Sequence, residues 1–360
     1  MDKFRIDSHK LMYHVDRLKD WLQGGNICPI YVEISPSGAC NHRCVYCALD
    51  FMEYQPRLLE APLLKKRLTE MGRAGVKSIM YAGEGEPLLH KGIGDIIRHT
   101  HSCGIDVAIT SNAVLFTPEL AEKTLAHITW FKVSINAATP QTYARIHRTN
   151  PADFQRVMRN MAYAAGVRRK KKYPCALGMQ LILLPENYRE VQLLAKQARD
   201  IGMDYLVVKP YSQHLSSKTM RYKNIKYEKY LPLAAKLARF NTKDFNVIFR
   251  VHAMKKWDQA QRTYRHCLAL PFWMHIDAGG NAWACSTYLK NDNPAQNRFF
   301  IGNIYEDTFR KILEGPRRRL LVHWAAEKLD TCRCRVNCRM DEVNRYLWDL
   351  THPPEHVNFI

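Results

Sequence analysis

The sequence predicts an α/β protein: a partial (β/α)6 barrel of the TIM type, followed by a small α+β domain that carries cysteines. Two observations support the barrel. Short apolar strands alternate with helices between residues 30 and 211, and polar residues or glycines follow the strands. Apolar strands separated by helices are typical of a parallel sheet that is covered on its outside. A third observation, five cysteines between residues 267 and 338, indicates the second domain.

Six strands are predicted in the barrel, each followed by a helix or a connecting segment. The strands are 31–35, 78–81, 106–110, 130–135, 176–184 and 205–208. The predicted helices are 60–74, 91–103, 117–126, 139–147, 154–168 and 187–201. Thr117 is the expected N-cap of the third helix, with Pro118 in its first turn. Six units are fewer than the eight of a closed barrel, so the barrel is expected to be partial.

The segments outside the barrel differ from it in composition and in hydrophobic pattern. Residues 1–29 predict a helical segment, because Leu11, Val15, Leu18 and Leu22 recur at helical spacing. The predicted units that follow are a barrel over 30–211, a basic, tyrosine-rich helical linker over 212–265, the cysteine-bearing domain over 266–342 and a C-terminal tail over 343–360.

Composition limits the choice of partner and compartment. The formal charge of +20 favours an anionic partner, which could be a nucleotide-linked sugar or other small anionic substrate, a phosphorylated metabolite, a nucleic acid or an acidic membrane surface. No RNA-binding signature with interleaved aromatic residues is present, so a nucleic acid is not the expected partner. The sequence contains no apolar run of about 18 residues, so no membrane span is predicted. Eleven cysteines without an apolar leader favour metal or redox use in a reducing compartment, and hence a cytoplasmic protein.

Three cysteines lie close together after the first strand, in the stretch Cys40-Asn-His-Arg-Cys44-Val-Tyr-Cys47. Thiolates suit iron–sulfur clusters or zinc. A structural zinc site normally has a fourth ligand in paired C-x2-C form, and none is adjacent. A [4Fe–4S] cluster held by three thiolates leaves one iron open for another ligand. The spacing therefore favours a cluster, with zinc as the alternative.

This loop resembles the signature of the radical SAM enzymes, including the aromatic Tyr46 before the last cysteine. The resemblance implies that the open iron binds the amino and carboxylate groups of S-adenosylmethionine. Gly85, Glu86 and Pro87 are similar to the motif that binds the methionyl ammonium in that family. Glu84 stands where a glycine is commoner, so which of the two carboxylates faces the ammonium stays open.

The resemblance also implies cofactor roles for polar residues at the later strand ends. It assigns Asn112, Ser134 and Asn136 to the ribose hydroxyls and the methionyl carboxylate. The alternative for the two asparagines is a turn-forming role. Arg148 is the candidate for binding the carboxylate, with Arg145 and His147 in competition and a solvated helix end as the alternative.

Two polar residues lie in the last predicted strands. Gln180 is either satisfied by backbone or faces the barrel lumen. Lys209, with Tyr211 close behind it, is a candidate for lining the adenine or the substrate.

The C-terminal cysteines form a second group. Cys267 and Cys285 lie near the outer ends of a predicted hairpin that turns at residues 277–280, and Cys332, Cys334 and Cys338 follow later. This arrangement resembles the SPASM/twitch extension of radical SAM enzymes, which implies auxiliary [4Fe–4S] clusters. Five cysteines suffice for one four-thiolate cluster. The predicted ligands are Cys267, Cys285 and two of the last three, Cys338 with either Cys332 or Cys334. A structural zinc site is the alternative.

The resemblance implies reductive cleavage of S-adenosylmethionine to a 5′-deoxyadenosyl radical, which takes a hydrogen atom from a substrate carbon. The electron would come from an external donor such as flavodoxin or ferredoxin. Basic character favours a carbohydrate or nucleotide-linked sugar, which would be dehydrogenated or epimerised. Cys175, at the start of the fifth strand, is the candidate hydrogen-atom donor of an epimerase, with a core thiol as the alternative. Other candidate functions are maturation of ribosomal peptides and an iron–sulfur RNA-modifying or RNA-binding role.

Overall fold

The computed structural model describes residues 3–359, and its strands form one ten-stranded sheet. The strands are β1 Tyr31–Ile34, β2 Ser78–Tyr81, β3 Asp106–Ser111, β4 Trp130–Ser134, β5 Ala176–Ile182, β6 Tyr205–Lys209, β7 Asn246–Phe249, β8 Trp273–Ile276, β9 Asn281–Trp283 and β10 Phe300–Asn303. Their order is β10-β9-β8-β1-β2-β3-β4-β5-β6-β7. Every neighbouring pair from β8 to β7 is parallel, whereas β9 and β10 are antiparallel.

Twelve α-helices lie in the described part of the chain, together with short 3-10 turns. The helices are α1 Val15–Leu22, α2 Ala61–Ala74, α3 Ile93–Ser102, α4 Pro118–Thr124, α5 Pro140–His147, α6 Ala152–Lys171, α7 Val191–Asp200, α8 Leu233–Ala238, α9 Val251–Gln259, α10 Phe309–Glu314, α11 Pro316–Glu327 and α12 Asp341–Thr351. The Thr117 hydroxyl accepts a hydrogen bond from the Leu120 backbone N–H, as expected of the N-cap of α4. None of these helices is long and apolar enough to cross a bilayer.

Strand β5 shows how the two faces of the sheet differ. Leu177, Met179 and Leu181 are buried in the large apolar core. Gln180 and Ile182 alternate with them and line a cavity on the other face. Side chains along a strand alternate between faces, so the helices cover one face and the other encloses a lumen. The six predicted strand and helix units are present, within a few residues of their predicted bounds.

The predicted helical linker over residues 212–265 is partly wrong. It contains α8 and α9, but also β7, which pairs in parallel with β6 as a seventh barrel strand. The strand is only four residues long and begins with the polar Asn246, so its apolar pattern is too short to separate it from a loop. At the opposite edge, β8 pairs in parallel with β1, so the C-terminal hairpin continues the barrel sheet.

The two ends of the chain pack more closely than predicted. Helix α1 forms, but Val15 and Leu22 are exposed, and only Leu18 of that helix is buried. Leu18 joins an apolar cluster with Leu347 of α12. The predicted C-terminal tail over 343–360 therefore begins with a helix that is anchored to the N-terminal segment.

The first described residues reach the lower end of the barrel, where the strands begin. The Phe4 ring lies 5.2 Å from the ring of Tyr205, and Ile6 packs with Val207 and Ile248. These apolar contacts close the lumen on that side. The sequence did not predict this closure, because Phe4 and Ile6 are isolated apolar residues in a short polar stretch.

Candidate active site

The barrel encloses a cavity of about 580 Å³ that both cysteine groups reach. Cys47 of the first group and Cys338 of the second group line its wall, together with side chains from β1 to β6 and β8. A volume of several hundred cubic ångströms is typical of small-molecule sites. The fold therefore places the two predicted metal-binding regions around one candidate substrate site.

The first cysteine loop is fixed by backbone hydrogen bonds to the end of α5. The N–H of Arg43 donates to the carbonyl of His147, and that of Val45 donates to the carbonyl of Ile146. Burial raises the pKa of the Cys40 thiol to about 12. Burial, followed by the charges of the neighbouring thiols, also raises the pKa of Cys44. Three half-buried thiols whose ionisation is costly without a neutralising cation are a donor set that iron would satisfy, so the loop fits the implied cluster.

The zinc alternative has one geometric candidate among residues 3–359, formed by His42, Cys44 and His147. Their ligand atoms lie within 4.8 Å of one another, and His147 Nδ1 is 3.3 Å from the Cys44 sulfur. The other two loop cysteines are not in this group, and a fourth ligand is missing, whereas structural zinc is four-coordinate. The His147 Nε2 also lies 2.8 Å from the carbonyl oxygen of Ile135, and burial lowers the pKa of this ring to about 3. This group is therefore an incomplete zinc site.

The two carboxylates of the glycine turn point in different directions. Glu86 accepts hydrogen bonds from the Ser111 hydroxyl at 2.6 Å and from the Asn112 N–H at 2.9 Å. Glu84 instead accepts one from the Ala278 N–H at 2.7 Å and lies 3.5 Å from the Arg57 guanidinium. Glu84 thus holds the C-terminal hairpin against the barrel, while Glu86 ties the turn to the end of β3.

Gly85 allows this turn to pack against the segment that precedes the first cysteine. Its φ is +67°, and a Cβ atom there would lie 2.2 Å from the Ser37 carbonyl oxygen and 2.5 Å from that of Ala39. Any side chain would push the turn away from the cysteine loop, so glycine is required by close approach as well as by φ.

The two predicted asparagines are engaged inside the protein. Asn112 donates from its side chain to Asn41 at 2.7 Å, next to the first cysteine. Asn136 has a φ of +51°, donates to the Tyr46 hydroxyl at 2.5 Å and accepts from the Ile182 N–H at 2.7 Å. Both amides therefore link strand ends to the cysteine loop. Asn112 also accepts from the Val114 N–H at 3.1 Å, the local contact of the turn-forming alternative, whereas the Asn136 oxygen accepts from a residue of β5.

Ser134, Gln180 and Lys209 line the cavity, as does Tyr211, so Gln180 faces the lumen rather than being buried against backbone. Arg148 does not: it ends α5 in a left-handed conformation with its side chain exposed. Of its two competitors, Arg145 is also exposed, whereas His147 is buried beside Cys44.

The structure separates Cys175 from the cavity. This thiol is buried in the core between the sheet and the helices, on the face that Leu177 and Met179 share. Burial raises its pKa to about 12. The cavity lining contains two described cysteines, Cys47 and Cys338, and both are predicted cluster ligands. A hydrogen-atom donor at Cys175 would have to act through the sheet.

Four of the five C-terminal cysteines converge. Burial, followed by the charge of Cys338, raises the pKa of Cys285 to about 12, and the charge of Cys334 contributes too. Burial, and then the charges of Cys285 and Cys338, raises the pKa of Cys267 as well. Cys332 is exposed, and its charge is not among the main causes of the raised pKa of Cys267, Cys285 or Cys334. We therefore expect Cys334, and not Cys332, to complete a four-thiolate cluster.

Several charged or polar residues of the cavity were missed by the sequence reasoning. Among them are Glu33, Lys132, His275, Arg335 and Arg339. Three of these interrupt short apolar strands, as in Trp-Phe-Lys132-Val-Ser and Trp-Met-His275-Ile. A charged or polar residue inside a buried strand is a signal of a lumen position that could have been used.

Comparison with known proteins agrees with this geometry. A family model described as the radical SAM superfamily matches residues 34–198, and one described as an iron–sulfur cluster-binding domain, SPASM, matches residues 267–339. The chain therefore belongs to the radical SAM superfamily, a class of enzymes. Its C-terminal part is a SPASM domain. These two domains imply S-adenosylmethionine, a [4Fe–4S] cluster in the barrel and auxiliary iron–sulfur binding in the second domain.

Curated relatives match only in part. A GTP 3′,8-cyclase of Chlorobaculum tepidum is 32% identical over 120 residues, which cover 33% of this chain and 36% of that protein. A tungsten-containing aldehyde ferredoxin oxidoreductase cofactor-modifying protein of Pyrococcus furiosus is 24% identical over 184 residues, half of each chain. This chain thus spans between about a third and a half of these relatives.

Solved structures share the fold over most of the chain. SuiB of Streptococcus suis bound to S-adenosylmethionine superposes with a TM-score of 0.65 at 17% identity, covering 87% of this chain and 72% of that one. Native anSMEcpe with bound AdoMet gives 0.60 at 15% identity and covers 88% of each chain. At these identities the likeness describes the fold.

Proposed function

We propose that this enzyme removes a hydrogen atom from a carbon of a nucleotide-linked sugar and dehydrogenates that substrate. The observation that carries the proposal is the shared cavity, which has both Cys47 and Cys338 in its wall. A substrate in the lumen would lie within reach of both cysteine groups. Reduced flavodoxin or ferredoxin is the proposed electron donor.

Cys40, Cys44 and Cys47 would hold the first cluster, and Cys267, Cys285, Cys334 and Cys338 the auxiliary one. When bound, S-adenosylmethionine and the clusters would supply one-electron chemistry that removes one hydrogen atom and one further electron from the substrate, and the hydroxyl proton would pass to the bulk solvent.

The chain itself orients the reactants and excludes water. Glu86 keeps the glycine turn against the cysteine loop through its hydrogen bonds to the end of β3. Ser134 and Gln180 present polar groups to the cavity. At the lower end, Phe4 and Ile6 seal the barrel against solvent. Exclusion of water protects a reactive site from side reactions.

The positions of the cysteines relative to the cavity favour dehydrogenation over epimerisation. An epimerase must return a hydrogen atom to the substrate. The candidate donor Cys175 lies in the outer core, and the cavity cysteines among the described residues are predicted cluster ligands. The proposed product is therefore a ketone rather than an inverted alcohol.

The substrate class rests on charge and on relatives. The chain carries a formal charge of +20. The name of the Chlorobaculum tepidum relative gives GTP as its substrate, so a nucleotide-bearing substrate is compatible with a related barrel. A second candidate is peptide maturation. SuiB also superposes in its complex with the precursor peptide SuiA, with a TM-score of 0.64 at 16% identity.

The test uses anaerobically reconstituted holoenzyme with S-adenosylmethionine, reductant and nucleotide-linked sugars deuterated on the ring. The expected result is deuterium in 5′-deoxyadenosine and a ketone product that has lost two hydrogens. Solvent hydrogen in an alcohol product of inverted configuration would select epimerisation instead. If deuterium is transferred from none of the sugars but is transferred from a labelled peptide, the peptide candidate replaces the sugar.

A further inference from the structure

The cavity wall holds more positive than negative charge among the described residues. The lysine and arginine side chains that line it are Lys132, Lys209, Arg250, Lys256, Arg335 and Arg339. The carboxylates that line it are Asp7, Glu33, Asp341 and Glu342.

Three of the cations are neutralised by these carboxylates. Arg250 donates to Asp7 at 2.9 Å. Lys256 pairs with both carboxylates at the start of α12, and Arg339 pairs with Glu33. All four carboxylates are used in these pairs.

The other three cations have no carboxylate partner in the described part of the chain. Lys132 lies on β4 and Lys209 at the end of β6, on the two strands that flank β5. Among residues 3–359, no carboxylate oxygen lies within 4.0 Å of either ammonium, and the Lys132 ammonium is 5.0 Å from the Trp130 ring centre. Arg335, beside Cys334, has a buried Nε with no hydrogen-bond partner.

These cations are close enough to repel one another. Burial lowers the pKa of Lys209, and the positive charges of Lys132, Arg250 and Arg335 lower it further. Burial also lowers the pKa of Lys132 to about 8, with Arg250 contributing. Unpaired buried charge is costly to a folded protein, so a cluster of this kind is typical of a site that is completed by a bound anion.

We propose that Lys132, Lys209 and Arg335 form an anion subsite that binds the diphosphate of the substrate. This assignment rests on the proposed function and specifies where the nucleotide-linked group is held. One carboxylate would neutralise one of three unpaired cations, whereas the diphosphate of a nucleotide-linked sugar carries a negative charge on each phosphate and has enough acceptor oxygens for all three donors. The guanidinium fork of Arg335 also matches phosphate oxygens, and lysine is a common phosphate ligand.

The test is calorimetric binding of inorganic pyrophosphate to reconstituted holoprotein saturated with S-adenosylmethionine, so that the methionyl carboxylate already occupies its own site. We expect one saturable site per chain. K132Q and K209Q should each weaken binding by about tenfold or more, because each removes a charge-assisted hydrogen bond. The matched control is K196Q, which removes the same charge from an exposed lysine on α7 and should leave binding unchanged.

A second measurement uses the wild-type chain, so its result does not depend on whether the variants fold. Acylation followed by mass spectrometry should show that pyrophosphate protects Lys132 and Lys209 but not Lys196. Absence of saturable binding, equal weakening by K196Q, or equal protection of Lys196 would overturn the subsite. If malonate bound as tightly as pyrophosphate, the assignment of the subsite to phosphate would be overturned.

Failure of the subsite is distinguishable from failure of the proposed function. If pyrophosphate does not bind while sugar deuterium still reaches 5′-deoxyadenosine, the subsite is wrong and the function stands. If pyrophosphate binds as predicted and no sugar donates deuterium, the anion site stands, and the sugar assignment is wrong.

Discussion

Glu84 allows a prediction about the contact between the barrel and the C-terminal hairpin. Its carboxylate is 2% exposed and lies where β2 meets the Asp277 turn of that hairpin. Burial, followed by the charge of Asp277, raises the Glu84 pKa from the usual 4.5 to about 7. The folded protein therefore keeps this proton over a pH range in which the unfolded chain has already lost it.

The direction in which stability changes with pH follows from proton linkage. Between pH 4.5 and about 7 the folded state binds more protons, so the free energy of unfolding falls as pH rises through this window. A difference of about 2.5 in pKa corresponds to a loss of about 3 kcal/mol by pH 8. E84Q removes the ionisation while keeping an oxygen that can accept from the Ala278 N–H. We expect E84Q to be more stable than wild type at pH 8 by about 3 kcal/mol, because the pKa of about 7 already includes the attraction of Arg57.

The assay is urea unfolding of wild type and E84Q at pH 5.5 and pH 8, with hydrogen exchange of residues 277–281 as the local measurement. Wild type should lose stability between the two pH values, and its hairpin turn should exchange faster at pH 8. E84Q should show neither change. D106N, which removes a carboxylate from the exposed first residue of β3, is the control for general charge effects. A pH dependence that is the same in wild type and E84Q would refute the reasoning.

Three further predictions test the proposed ligands. C334S should lower the iron content of reconstituted protein from about eight to about four atoms per chain, whereas C332S should leave it at about eight; the reverse order would contradict the assignment. G85A should prevent assembly of the barrel cluster, seen as loss of its absorbance, because the added methyl group meets backbone oxygens; normal cluster loading would show that the turn can move. R148A should leave the dissociation constant of S-adenosylmethionine unchanged, while S134A should raise it several-fold; a large effect of R148A alone would restore the exposed arginine as a ligand.

Most of the barrel was predictable because β1 to β6 are short apolar runs, each followed by a polar motif. That local pattern located β1 to β6 and the cysteine loop. It failed for β7, because Asn246–Phe249 offers four residues whose strand character depends on pairing with β6. The pairing of β8 with the edge strand β1 could not be predicted from local pattern either, because it joins residues about 240 positions apart.

The site was predictable to the level of motifs and not of individual contacts. The glycine turn was identified, but the opposite directions of Glu84 and Glu86 depend on the hairpin that packs beside them. Spacing left Cys332 and Cys334 as equal candidates, and only the fold of their loop exposes the first and half-buries the second near Cys338. Arg148 and Cys175 were near the right strands, but their side chains lie outside the cavity.

The measurement that tests the central claim most directly is anaerobic cleavage of S-adenosylmethionine. Reconstituted wild-type protein with dithionite should form 5′-deoxyadenosine and methionine, and C40A, C44A and C47A should each abolish both products. C267A should still cleave the cofactor while containing about four iron atoms fewer, because the second cysteine group is separate. Formation of 5′-deoxyadenosine by the three loop variants, or its absence from cluster-loaded wild type, would contradict the account.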